Sequence, residues 1–329
     1  MLKKKINTLL ILPACLLLFC CGSSDPTDEG EKGGGETVNI ETNYLPIADP
    51  YVLVYNGKYY AYGTGGTTSD EGFPCFSSTD LKYWKREGQA LSAADSYGTW
   101  GFWAPEVYYI ASQKKFYMFY SVEEHICVAT STTPEGPFRQ EVKQPIWTEK
   151  SIDTSLFIDD DGTPYLYFVR FTDGNVIWVA QMNADLKSIK TETLTQCVKA
   201  EEAWEILQGK VAEGPSVLKK NNTYYLIYSA NHFENKGYGV GYATATSPKG
   251  PWTKSKTNPI MQGDTSTGLV GTGHGAPFQC PDGSWKYIFH AHWSAKEIHP
   301  RTSYIKDFAI SDQGVASISG TVIKPKVLK

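Results

Sequence analysis

The chain reads as an all-β protein, a five-bladed β-propeller folded as a single domain. Three observations predict this. Five short aromatic strands recur about 50 to 60 residues apart: KYYAYGT from Lys58, KFYMFYS from Lys115, PYLYFVR from Pro164, TYYLIYSA from Thr223 and WKYIFHAH from Trp285. Most follow a turn signal, Asn56-Gly57, Asp161-Gly162, Asn221-Asn222 or Asp282-Gly283, whose residues suit the positive-φ positions of tight hairpins. No long stretch shows a helical period, and EEAWEILQ near Glu201 predicts at most one short helix.

Residues 1–20 read as a lipoprotein signal peptide. Lys3, Lys4 and Lys5 precede an apolar run from Ile6 to Phe19, too short for a membrane span, and the run ends in Leu18-Phe19-Cys20-Cys21-Gly22. Cys21 is the expected lipidation site, with Cys20 as the alternative, which would place the protein in the cell envelope, periplasmic or at the outer-membrane surface. Residues 21–36 are rich in glycine and acid and lack large apolar residues, so they predict a flexible tether. Residues 37–329 are ample for one core and are expected to be the propeller.

The formal charge is −4, from 31 Lys and Arg against 35 Asp and Glu, and loss of the three leader lysines makes it −7. No basic stripe is present, so nucleic acid is not an expected partner. The membrane is expected to be met only through a lipid anchor, and a monomer is expected. Tyr and Trp, 21 and 9 of them, suit both a β core and sugar stacking. Cys75, Cys127, Cys197 and Cys280 lack metal-ligand spacing and read as buried thiols, with one disulfide left open.

Each aromatic strand is preceded by another short strand: ADPYVLVY, WAPEVYYI, DTSLFIDD, EGPSVLKK and HGAPFQCP. Units of three or four strands cannot bury both faces alone, and radial packing solves this. A jelly roll would not need five matched units. In a propeller the first strand of each blade lines the central channel. Asp49, Trp103, Asp153, Glu213 and His274 then converge at one end of it. Carboxylates gathered from separate strands suit acid–base chemistry or a hard cation. The tighter cluster Asp159-Asp160-Asp161-Gly162 reads as turn chemistry with calcium as the alternative. Each head acid could instead cap a turn or sit in a salt bridge.

The ordered set IADPYVLVYNGKYYAYGT, WAPEV, IDTSLFIDDDGTPYLYF, AEGPSVLKKNNTYYLIYSA and GHGAPF, from Ile47 to at least Trp293, resembles glycoside hydrolase family 43. The resemblance implies a five-bladed catalytic propeller that cleaves arabinose- or xylose-containing glycans with inversion and needs no organic cofactor. It makes Asp49 the general base, Glu213 the general acid and Asp153 the carboxylate that tunes the acid. It implies sugar contacts for Trp103 and Arg301, and a channel histidine, His274, that binds near the substrate and holds a water or a Ca2+ ion. Core packing, a surface salt bridge and a satisfied core histidine are the respective alternatives. Glu106 reads as structural.

The resemblance favours release of α-L-arabinofuranose, with β-D-xylose as a further product, over endo-arabinanase action. A galactan-acting member of the family is a further alternative, and Asp at position 49 counts against it, because that branch departs from the pattern there. Invertase-like propellers are a rival, but their Asn-Asp-Pro-Asn-Gly and Arg-Asp-Pro motifs are absent. A surface lipoprotein that binds glycan without cutting it is the non-enzymatic rival. The loops after Gly66 and Ala230 are the expected walls of the site.

Overall fold

The computed structural model describes residues 39–65 and 70–329. The signal, tether and Cys21 expectations, and the start of the loop after Gly66, lie outside the described residues. The inner strands are Ile47–Tyr55, Trp103–Ile110, Ser151–Ile158, Ala212–Lys220 and Gly273–Gln279. Each pairs antiparallel with one of the five aromatic strands, Lys58–Gly65, Lys115–Val122, Pro164–Phe171, Thr223–Ala230 and Trp285–Ala291. Each blade is a separate sheet, antiparallel through its inner strands and continued outward by at least one more strand. The strand Lys326–Leu328 pairs parallel with Tyr83–Ser92, and Ile40–Thr42 pairs with it, so the first blade takes its outermost strands from both ends of the described chain.

Alternation explains why the aromatic strands carry no polar face. In Lys115–Val122, Phe116, Met118, Tyr120 and Val122 pack with the first blade, whereas Tyr117 and Phe119 pack with the third. Successive side chains leave a strand on opposite faces, so a blade with a neighbour on each side needs apolar residues at every position. Five core clusters result, each shared by two adjacent blades. The one joining Ile47, Tyr59 and Trp84 to Phe278, Ile288 and Ile305 closes the ring between the first blade and the fifth.

Among the described residues helix is confined to three single 3-10 turns. The short helix expected near Glu201 is one of them, Ala203–Glu205, and it closes with a reciprocal capping box between Glu202 and Glu205. The buried Glu205 carboxylate also accepts from Tyr228 (2.6 Å) and Lys254 (2.5 Å), pinning this turn to the fourth blade. The disulfide left open does not form, since all four body cysteines are free. Asp159 and Asp160 both bind Lys219 (2.9 and 2.8 Å), a bridge from the third blade to the fourth.

Candidate active site

The inner strands share one irregularity at the channel mouth. Asp49, Ala104, Asp153, Gly214 and His274 all have φ between +40° and +56°, one per blade. Each marks a break in the pairing register of its hairpin. Left-handed backbone costs a non-glycine residue about 1–2 kcal/mol, so four such residues at matching places point to a common requirement. The bulge turns side chains into the channel that a regular strand would send into a blade interface. Only the fourth blade uses glycine here. A Cβ on Gly214 would stand 2.9 Å from the His274 ring, so close packing as well as φ selects glycine.

Matching bulges show that the head residues are not equivalent. Asp49, Asp153 and His274 occupy the left-handed position itself, whereas Trp103 and Glu213 precede it by one residue. Glu106 follows it by two and lines a narrow space of about 10 Å³ beneath the site with Asp49, Asp153 and His274, room for about one water. Mainly through burial, Glu106 is pushed up to about 8, and Tyr108 donates a short hydrogen bond to it.

A second repeating feature ties the bulges together. Across each hairpin Ala48 faces Thr64, Trp103 faces Ser121, Ile152 faces Val169, Glu213 faces Ser229 and Gly273 faces His290. The polar residues of this set each accept the bulge N–H of the next blade. Ala104 donates to Thr64 (3.0 Å), Asp153 to Ser121 (2.9 Å), His274 to Ser229 (2.8 Å) and Asp49 to His290 Nδ1 (3.2 Å). Val169 cannot accept, and there the Gly214 N–H donates to Asp153 Oδ2 (3.2 Å) instead. The one apolar member of the ring therefore coincides with the place where a carboxylate is drawn toward Glu213.

Asp49 is surrounded by donors. Arg301 Nη1 reaches Oδ1 (2.8 Å), Thr64 Oγ1 reaches Oδ2 (2.6 Å), and His274 Nδ1 lies 3.3 Å from Oδ1. Burial works to raise this carboxyl, but the Arg301 guanidinium and then His274 outweigh it and hold Asp49 well below the usual carboxylate range. Burial, then the charge of Arg301, pushes His290 down to about 3, so it is neutral and free to accept the Asp49 N–H.

Glu213 has neutral partners. Tyr238 donates to Oε1 (2.8 Å) and Asn175 to Oε2 (3.0 Å). Burial, then the nearby Asp153 charge, pushes Glu213 up to about 7. Asp153 is likewise raised to about 7, by burial and then by Asp49, against the Gly214 N–H. The three carboxylates line one cavity of about 530 Å³ together with Trp103, His274 and Arg301, so every site residue expected in the body of the chain is brought together.

Trp103 meets Trp100 edge-on at 6.2 Å, and Arg301 lies over the Phe233 ring at 4.6 Å. Several lining residues carried no motif: Glu124, Phe171, Asn175, His232, Phe233 and His299. Asn175 carried no signal, because it reaches Glu213 from the hairpin of the third blade, whereas Tyr238, like His232 and Phe233, lies in the loop after Ala230 that was an expected wall of the site. Thr64 and His290 could have been found by aligning the aromatic strands on one another.

Calcium takes six to eight oxygen ligands. Among the described residues no group of three or more His, Cys, Asp or Glu is arranged to hold a metal, so side chains alone do not supply a calcium cage around His274, and an ion there would take most of its ligands from water. No step below is routed through a metal.

A five-bladed propeller in which one carboxyl is held far below the usual range and another is raised to about 7, both facing one cavity, has the parts of a glycoside hydrolase. The model for glycosyl hydrolases family 43 matches residues 45–315, and the chain belongs to that family. A solved structure described as an endo-1,4-beta-xylanase from Bacteroides thetaiotaomicron is 84% identical, with a TM-score of 0.87, over 88% of this chain and all of that one. A beta-D-galactofuranosidase of Aspergillus niger is 32% identical over 74% of this chain and 73% of its own length. A putative beta-xylosidase of Xylanibacter ruminicola is 27% identical over 79% of this chain, which spans only 46% of that protein.

Proposed function

We propose that the chain hydrolyses glycosides with inversion, releasing a terminal α-L-arabinofuranose, and β-D-xylose from the same pocket, from xylan- or arabinan-type glycan. The observation that carries this reading is the opposite treatment of two buried carboxyls in one cavity. Asp49 is held ionised by Arg301, and Glu213 is held protonated near neutral pH by burial and Asp153.

In this reading water attacks the anomeric carbon and gives a proton to Asp49. The bond from that carbon to the glycosidic oxygen breaks as Glu213 protonates the oxygen. A carboxylate of lowered pKa is a weak base, but water becomes strongly acidic as it bonds to an oxocarbenium-like carbon, so it suffices. Asp153 acts through its charge on Glu213. Product release then lets Asp49 lose its proton to solvent and Glu213 regain one.

The glycone follows from stereochemistry. α-L-Arabinofuranose and β-D-xylopyranose present similar arrangements around the scissile bond, and β-D-galactofuranose has the arabinofuranose ring with one added carbon. The relatives named for xylosides and for a galactofuranoside fit that set. Release of nitrophenol from aryl α-L-arabinofuranoside and aryl β-D-xyloside tests the glycone, and the anomer first formed tests inversion. Turnover of neither substrate, or a retained first anomer, would sink this reading.

The 84% identical structure described as an endo-xylanase favours a second reading, internal cleavage of xylan. Product analysis separates the two, since terminal action on polymer yields monosaccharide and internal action yields oligosaccharides. By its leader sequence the protein would act as an envelope lipoprotein anchored at Cys21, and incorporation of labelled fatty acid that is lost in Cys21→Ala tests this.

A further inference from the structure

Phe171 ends the aromatic strand of the third blade, lines the cavity and is 44% exposed. Leaving a large aromatic in water has no folding benefit, and among the described residues no other ring packs against it. Its position relative to Glu213 is defined by backbone pairing. Phe171 stands directly opposite Asn175 across the hairpin, and Asn175 donates to Glu213 Oε2 (3.0 Å).

Its backbone is firmly held. The preceding residue, Arg170, lies between the rings of Trp147 and Trp178 (4.9 and 4.5 Å) and binds Glu149 (2.8 Å). Glu124 also lines the cavity; one of its carboxylate oxygens pairs with Lys150, and its carbonyl accepts from the N–H of Ser151, the residue opposite Arg170.

An acid that protonates the glycosidic oxygen must stand on the leaving-group side of the scissile bond. An exposed aromatic face beside it therefore meets the leaving sugar and not the released one. We propose that Phe171 is the platform on which the leaving-group sugar ring stacks, with the Glu124 carboxylate accepting from that sugar's hydroxyls. This rests on the assignment of Glu213 as the acid. It makes the natural leaving group a sugar of a glycan chain, and it places specificity for that chain on the second and third blades.

The test compares two leaving groups on one glycone. Xylobiose or an arabinofuranosyl-xylobiose, whichever the wild type cleaves, has a sugar to stack, whereas the matching glycosyl fluoride has none. Phe171→Ala should lower kcat/KM on the oligosaccharide about tenfold more than on the fluoride, the scale of one aromatic contact. Phe171→Trp should recover most of that difference, and Glu124→Gln should show a smaller difference of the same sign. Equal losses on both substrates, or no loss on the oligosaccharide, would overturn the proposal. A wild type that hydrolyses neither glycoside nor fluoride overturns the platform together with the proposed function, and that failure is told apart because the parent protein is itself inactive.

Discussion

Asp49 and Glu213 stand at the heads of corresponding strands, in blades one and four, and both carboxyls are buried. Burial pushes both upward. Asp49 ends far below the ordinary range because a guanidinium touches it at 2.8 Å. Glu213 ends near 7 because its contacts are a phenol and an amide and its nearest charged influence is another carboxylate. Two acids on the same architecture thus acquire opposite protonation states from their neighbours, and not from depth in the fold.

The sharpest way to break this comparison is to neutralise each acid in turn. Asp49→Asn should lower kcat by about 10²–10⁴-fold on any substrate, as expected for loss of a general base. Glu213→Gln should cost as much on a natural glycoside but much less on an aryl glycoside, whose leaving group needs little protonation. If the two variants respond alike to leaving-group quality, the roles assigned to them fall together.

Removing the cation comes next. Arg301→Met takes away the largest influence lowering Asp49, so its pKa rises. The acidic limb of kcat/KM should move to higher pH, because a base must be ionised to act. An unmoved limb would mean that another group governs it.

Smaller effects are expected on the alkaline limb, which should lie near pH 7 in the wild type as Glu213 loses its proton. Asp153→Asn removes a repelling charge, lowers the Glu213 pKa and should move the limb down. Asn175→Ala removes a donor to the carboxylate, raises that pKa and should move the limb up. Shifts of about one unit in opposite directions are expected, and shifts in the same direction would contradict the electrostatic account.

The smallest effect concerns the ring of bulge caps. Ser229→Ala leaves the buried His274 N–H without its acceptor and should cost about 1–3 kcal/mol, a fall in Tm of about 2–4 °C per kcal/mol. Urea or thermal unfolding that leaves this variant unchanged would show that the caps do not stabilise the bulges.

Much of the site was legible because the three carboxylates, Trp103 and His274 each stand at a repeated place in the blade. Asp-Pro, Ile-Asp-Thr-Ser, Glu-Gly-Pro and Gly-His-Gly are all fragments of the same bulge, read in blades one, three, four and five. What the motifs did not show was phase. Glu213 sits one residue ahead of the position held by Asp49 and Asp153, a difference visible only once hairpin register is known. Glu106, expected to be structural, proves to line the channel under the carboxylates, because the same bulge that turns Ala104 carries it inward.

The amino-acid pattern by itself determined the blade count, the hairpins and the carboxylates, because strand alternation, turn residues and internal repetition act over a few neighbouring residues. Tertiary structure alone decided which acid is charged. Arg301 reaches Asp49 across 252 positions, while Tyr238 and Asn175 approach Glu213 from 25 and 38 positions away. Electrostatic interaction depends on distance through space, and closing the ring of blades is what brings those groups within hydrogen-bond reach.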